Sequence, residues 1–352
     1  MQERQSNIEL LRLLSIFALL FLHFYVHSLL PSTVYAEQTG FWKNFPLVLS
    51  SLTSLQVNIF ILISGWFGIR TTPKKVINFV LMCVFYGVFT YCISLGLGNT
   101  FSIKDLAISF MPFSFMGGWW FIKAYLFLML LAPLFNKAIE YMSKREFIYV
   151  LCALVLINSY YGFFCKQDIN INGHNFMQLM YVYFIGRYLA LHVHFDKDKL
   201  RKWSAILCIV SIALYNVVWF VNDDYIHLVK SSTFLCRNNL WSVVNSIMIF
   251  LFFTTIQFRN KAINWLAAGV FPVYLIHTSI WISNYWRDGL TCIYETHASG
   301  IAWLIVTMIF IVYFFVVLCF DHIRAIITDP IVFGLDKKCT QIEGKINHNI
   351  KN

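Results

Sequence analysis

Charge is what this chain has least of: Asp, Glu, Lys and Arg together make up 12% of its 352 residues. A water-soluble globule covers itself with such groups, and a composition this poor in them nearly excludes one. Disorder is excluded by the opposite excess, since 59% of the residues are hydrophobic and 18% aromatic, more than chain entropy can keep unpacked. The nine cysteines follow no pairing pattern and no zinc-ligand spacing. No disulfide framework or metal centre is implied. Cys83, Cys92, Cys152, Cys208 and Cys319 fall in apolar runs and read as small buried hydrophobes. Of the seven prolines, only Pro133 and Pro272 lie well inside or at the end of an apolar run, and there is no internal repeat.

What is there is apolar sequence. Mean hydropathy is +0.66, and the length suffices for about ten helices of roughly 20 residues with short connections. The runs place an all-α bundle of spans near 9–30, 46–67, 76–97, 118–136, 147–164, 176–195, 203–221, 239–257, 265–285 and 301–320. A membrane domain over 1–325 and a short polar tail over 326–352 follow. The formal charge is +10. In a soluble protein that would suggest nucleic acid. In a membrane protein it marks cytoplasmic loops, and no nucleic-acid partner is expected. Starting with the N-terminus inside, the even-numbered connections and both ends hold roughly 18 cations against 6 in the others. That alternation predicts ten spans with both termini cytoplasmic. Val34-Tyr35-Ala36 resembles a signal-peptidase site, but the run before it is longer than usual and contains two histidines. It is read as the first span.

Charges inside spans are costly and therefore candidates for function. The first span carries Glu9, Arg12, His23 and His27. Eleven residues separate Arg12 from His23, about 20° past three full turns, so both lie on one helix face about 16.5 Å apart along the axis. Glu9 lies about 60° round the wheel from Arg12 and is placed to pair with it. Arg187 sits near the inner half of the sixth span. Lys123, one turn after Gly117-Gly118-Trp119-Trp120, lies nearer the outside. His277, in Tyr274-Leu275-Ile276-His277, reaches a depth similar to His23. Alternatives of a blander kind exist for each: a snorkelling anchor for Arg12, interhelical hydrogen bonding for the histidines, an aromatic belt for Trp119 and Trp120. Gln56 and Asn58 read as glue between helices.

Four stretches together resemble the bacterial acyltransferase-3 family of membrane O-acyltransferases. Arg12 and His23, with Glu9-Leu10-Leu11-Arg12, are similar to its first-helix signature. Phe60-Ile61-Leu62-Ile63-Ser64-Gly65-Trp66-Phe67 is similar to its second-helix segment, with Trp66 where Phe or Tyr is usual. Trp119-Trp120-Phe121 through Leu131-Ala132-Pro133, and then Tyr274-Leu275-Ile276-His277, match in order. Many relatives carry paired arginines after the second helix. This chain has Arg70 followed by Thr71-Thr72-Pro73-Lys74-Lys75, and lysine binds phosphate only as a point charge.

The resemblance implies transfer of an acyl group, usually acetyl, from cytoplasmic acetyl-CoA to a hydroxyl of a cell-envelope polysaccharide or glycolipid, in the bacterial inner membrane and without a metal. On that reading Arg12, Arg70, Lys74, Lys75 and Arg187 face the phosphates of the donor. His23 is the base, acting directly or through an acetyl-histidine. His277 supports it, Glu9 holds Arg12, and Trp119, Trp120, Lys123 and Tyr274 meet the acceptor. A glycan flippase, secondary transporter or polymerase also has many spans with buried charges. The missing repeat, few helix-breaking prolines and short outer loops weigh against these. A non-enzymatic scaffold gives Arg12 and His23 no reason to share a face.

Overall fold

The structure is a computed structural model, and it describes residues 5–351 except 115–117, 171, 194–195 and 228–229. Gly117 therefore lies outside the described residues. All regular structure among the described residues is helical. The helices are α1 (Ser6–Phe24), α2 (Thr33–Ala36), α3 (Phe41–Thr53), α4 (Gln56–Phe67), α5 (Pro73–Gly96), α6 (Ile103–Ser109), α7 (Trp120–Tyr141), α8 (Lys144–Val155), α9 (Phe176–His192), α10 (Lys197–Val221), α11 (Leu240–Thr255), α12 (Lys261–Leu266), α13 (Val270–His277), α14 (Ser283–Thr296) and α15 (Ser299–Lys351). Seven helical segments among the described residues are long and apolar enough to cross a membrane. The chain is a multi-pass helical membrane protein.

Local chemistry sets the ends. Thr72 caps α5 through its hydroxyl and Pro73 occupies the first turn, where a missing N–H costs nothing. Ser143 and Glu146 form a reciprocal capping box at α8. Gly68, with φ +69°, stops α4.

Two apolar cores are built along α1. Its first turns, through Ile8 and Leu11, pack with α4, α7, α8, α9 and α11. Leu13 to Leu29 pack with α5, α13, α14 and α15. At Tyr25–Leu29 the helix widens into a π turn, in which the Leu30 N–H reaches the Tyr25 carbonyl at 3.0 Å. Gly65 and Gly186 bring α4 and α9 into backbone contact. A Cβ on Gly65 would lie 2.4 Å from the Tyr183 carbonyl oxygen, and one on Gly186 2.7 Å from that of Leu62. Outward faces remain apolar, as at Leu304, Met308, Val312 and Val316 of α15, as lipid-facing helices require.

Three expectations change. The stretch 265–285 is not one helix: it divides into α12, a 3₁₀ turn at Ala267–Gly269, α13 and the start of α14, with the chain turning just after His277. The helix expected over 301–320 does not end there, because α15 runs from Ser299 through Lys351. Just beyond that expected end Arg324 pairs with Asp321 at 2.5 Å, Tyr86 donates to Asp321 at 2.8 Å, and all three are buried. Of the five cysteines assigned to apolar interiors only Cys83 is buried; Cys92, Cys152 and Cys319 face outward and Cys208 is half-buried.

Candidate active site

The site is organised on α1. Glu9 is buried and accepts from Arg12 Nη1 at 3.0 and 3.3 Å, so the arginine is held rather than free to snorkel. Arg12 stands at the junction of two cavities. One, of about 420 Å³, runs from Arg70 and Lys75 past Gly68, Asn78 and Met129 to Arg12. The other, of about 320 Å³, continues from Arg12 past Ile16 and Leu19 to Phe121 and Tyr274. They share Ser64, Phe79, Tyr125 and Phe271. Together they form a passage that is cationic at its mouth and apolar within.

Leu19, at the inner end of the passage, is one turn from His23. There His23 Nδ1 lies 2.9 Å from His277 Nε2, and the Tyr274 ring meets the His277 ring edge-to-face at 6.1 Å. His277 is buried, and its Nδ1 lies 2.7 Å from the Val273 carbonyl oxygen, which also accepts from the Tyr313 hydroxyl at 3.0 Å. A carbonyl only accepts, so in neutral His277 the proton sits on Nδ1 and Nε2 is the acceptor. His23 Nδ1–H must then donate to it, which leaves His23 Nε2 with a free lone pair. A lone pair of this kind can accept a proton. The break after α13 is what brings the end of that short helix against α1. The His27 ring lies tilted to that of His23, with centroids 5.5 Å apart.

The other candidates divide. Arg70 and Lys75 are exposed, and Lys75 Nζ donates to the Arg70 carbonyl at 2.8 Å. Lys74, also exposed on the first turn of α5, lines neither cavity. Arg187 lines neither cavity itself but packs against Gly68, which lines the first: its Nη1 donates to the carbonyls of Gly65 and Trp66 at 3.5 and 3.4 Å, so it caps the end of α4. Trp119 is 5% exposed and packs in the core, where it also lines a small cavity with Gly118 and Trp281. Trp120 is half-buried and faces the His174 ring at 4.9 Å. Lys123 Nζ donates to the Ser114 carbonyl at 3.5 Å.

Sequence reasoning missed Arg237, which it counted as an ordinary loop cation. Arg237 is 8% exposed, in the connection between α10 and α11, with its guanidinium 5.3 Å above the Trp120 ring and hydrogen-bonded to His174. Burial pulls the guanidinium down to about 10, which leaves it charged at neutral pH. Its backbone is pinned by buried amides: Asn58 Nδ2 and Gln178 Nε2 donate to the Arg237 carbonyl at 3.0 and 2.9 Å, and Gln178 also donates to Asn58 Oδ1 at 2.9 Å. Asn58 is thus the interhelical glue its position suggested. The run Cys236-Arg237-Asn238-Asn239, dense in amides between two apolar spans, was the available signal.

A family model described as an acyltransferase domain, acyltransferase-3, matches residues 5–320. No curated protein and no solved structure matches the chain. The matched stretch takes in α1, both cavities and the His23–His277 pair, and with nine-tenths of its length covered the chain belongs to the acyltransferase-3 family.

Proposed function

We propose that this protein is a membrane O-acetyltransferase that moves an acetyl group from cytoplasmic acetyl-CoA to a hydroxyl of a cell-envelope polysaccharide or glycolipid, in the bacterial inner membrane. The observation that carries the reading is a passage beginning at Arg70 and Lys75, passing Arg12, and ending one helical turn from a histidine with a free Nε2. A phosphate-rich donor suits cations at a mouth, and an uncharged pantetheine arm suits an apolar bore. The rise from Arg12 to His23, about 16.5 Å, is comparable to that arm.

In the reaction His23 Nε2 takes the proton of the acceptor hydroxyl as its oxygen attacks the thioester carbonyl carbon. The tetrahedral adduct collapses, the C–S bond breaks with its electron pair on sulfur, and His23 Nε2–H returns the proton to the leaving thiolate. His277 acts through His23, as a positioning residue. The donor enters from the side bearing Arg70 and Lys75, the acceptor from the opposite end. Ten spans with both termini cytoplasmic accompany this proposal, and cysteine labelling at positions 43 and 166 tests that topology: both should react from outside.

Labelled acetyl transfer in reconstituted membranes, comparing wild type with His23→Ala, tests the reaction itself. A positioned base contributes about 10²–10⁴-fold, so the variant should lose at least a hundredfold while its abundance holds. Near-normal transfer would remove His23 from the chemistry.

A further inference from the structure

The end of α1 opposite Arg70 holds two arginines without an ion pair among the described residues. Arg237 is more than nine-tenths buried, its Nε has no hydrogen-bond partner, and it forms no ion pair among the described residues. Its contacts are an imidazole, an indole face and the amides that grip its carbonyl, none of which neutralises it. Arg287, on α14, is half-buried and also without an ion pair among the described residues. Ser28 of the π turn donates to the Arg287 carbonyl at 3.1 Å, which ties this part of α14 to the histidine-bearing face of α1. From Arg237 a run of ring contacts leads to the histidine pair: Trp120 meets Phe121 at 5.9 Å, Phe121 meets Tyr274 at 5.6 Å, and Tyr274 meets His277 at 6.1 Å. The α14 carboxylates Asp288 and Glu295 are exposed, and Glu295 accepts from Ser32. Burying a guanidinium without an anion is costly. The planar fork of arginine matches carboxylate and phosphate oxygens.

We propose that the acceptor is an acidic glycan, bearing a carboxylate or phosphate ester, and that Arg237 and Arg287 hold this anion while His23 addresses a neighbouring hydroxyl. The inference rests on the acyltransfer reading above. Trp120, beneath Arg237, offers the adjoining sugar a ring face. Arg237 then serves as a selectivity residue: the fixed amide network sets its backbone, and the anion completes its hydrogen bonds. A neutral glycan leaves the buried charge unpaired, and is discriminated against for that reason.

The full chain in phosphatidylcholine nanodiscs, supplied with labelled acetyl-CoA, tests this. The acceptors are envelope-glycan fragments from the producing cells, separated by anion exchange into neutral and acidic pools. Label should enter the acidic pool at least tenfold faster per hydroxyl. Arg237→Gln should lower the acidic-to-neutral ratio of kcat/KM at least tenfold, and Arg287→Gln should lower it several-fold. If the Gln variant of Arg237 fails to accumulate, Arg237→Lys, which keeps the charge and loses the fork, should still lower the ratio. Equal labelling of both pools overturns the proposal. So does a parallel loss on both pools in Arg237→Gln, which would assign the arginine to the reacting oxyanion. Phosphatidylglycerol in the nanodiscs should leave the ratio intact; its collapse would mean that a lipid headgroup fills the site. His23-dependent transfer to neutral glycan alone refutes this inference and keeps the acyltransferase, whereas absence of transfer to either pool refutes both.

Discussion

Substituting His277 separates a positioning histidine from a second base. The His23 Nδ1–H to His277 Nε2 bond, 2.9 Å long, is neutral in the ground state and charge-assisted once His23 Nε2 gains a proton. Neutral bonds contribute about 0.5–1.5 kcal/mol net and those to charged groups about 1.5–3 kcal/mol. The transition-state excess is therefore about 1–1.5 kcal/mol, roughly a five- to thirteenfold effect on kcat. His277→Leu should lose that much in kcat with KM for acetyl-CoA unchanged. His277→Gln retains an amide oxygen able to accept from His23 Nδ1–H and should recover part of the loss. The assay is steady-state transfer of labelled acetyl at matched protein abundance. Equal kcat in the Leu and Gln variants would refute the tautomer argument, and a Leu variant as inactive as His23→Ala would make His277 the base.

Three other outcomes follow from particular contacts. Arg12→Gln should weaken acetyl-CoA binding at least tenfold, about 1.4 kcal/mol, in equilibrium titration; an unchanged Kd would remove Arg12 from the donor passage. Gly65→Ala should destabilise the protein by about 1–3 kcal/mol, seen as a lower thermal midpoint in detergent, because the new methyl meets the Tyr183 backbone oxygen. Arg324→Met alone leaves buried Asp321 unpaired and should cost about 3–5 kcal/mol of stability, while Arg324→Met with Asp321→Leu should recover most of it. A double variant no more stable than the single would show that the pair does more than neutralise itself.

The candidate face of α1 was legible because helical phase is arithmetic: Glu9, Arg12 and His23 fall where 100° per residue puts them. The partner of His23 was legible only as a depth. The stretch 265–285 reads as one apolar span in spite of Thr278 and Ser279, where α13 ends, and it is that end which presents His277. Arg237 was counted with the loop cations, since charge patterning weighs a residue by its connection and not by its burial. Asp321 and Arg324 draw no notice for a related reason: hydropathy scores each charge singly, and the pair buries both together. Trp119 and Trp120 are adjacent in sequence, so one signal covered both. The start of α7 turns one into the core and leaves the other beside His174.

The π turn at Tyr25–Leu29 has a bearing on how such a chain can change. A π turn holds one residue more than the α-helical turn it replaces, and this one lies beyond His23 and before the connection to α3. Insertions and deletions arising past His23 can be absorbed there by widening or tightening a single turn. The same change between Arg12 and His23 would rotate one against the other by about 100°. Under the proposed acyl transfer, the chain thus has a rigid segment in which length is fixed by the reaction, followed at once by a buffer in which length is free to drift. Related proteins with longer or shorter connections at this end should keep the eleven-residue interval and differ in the turn.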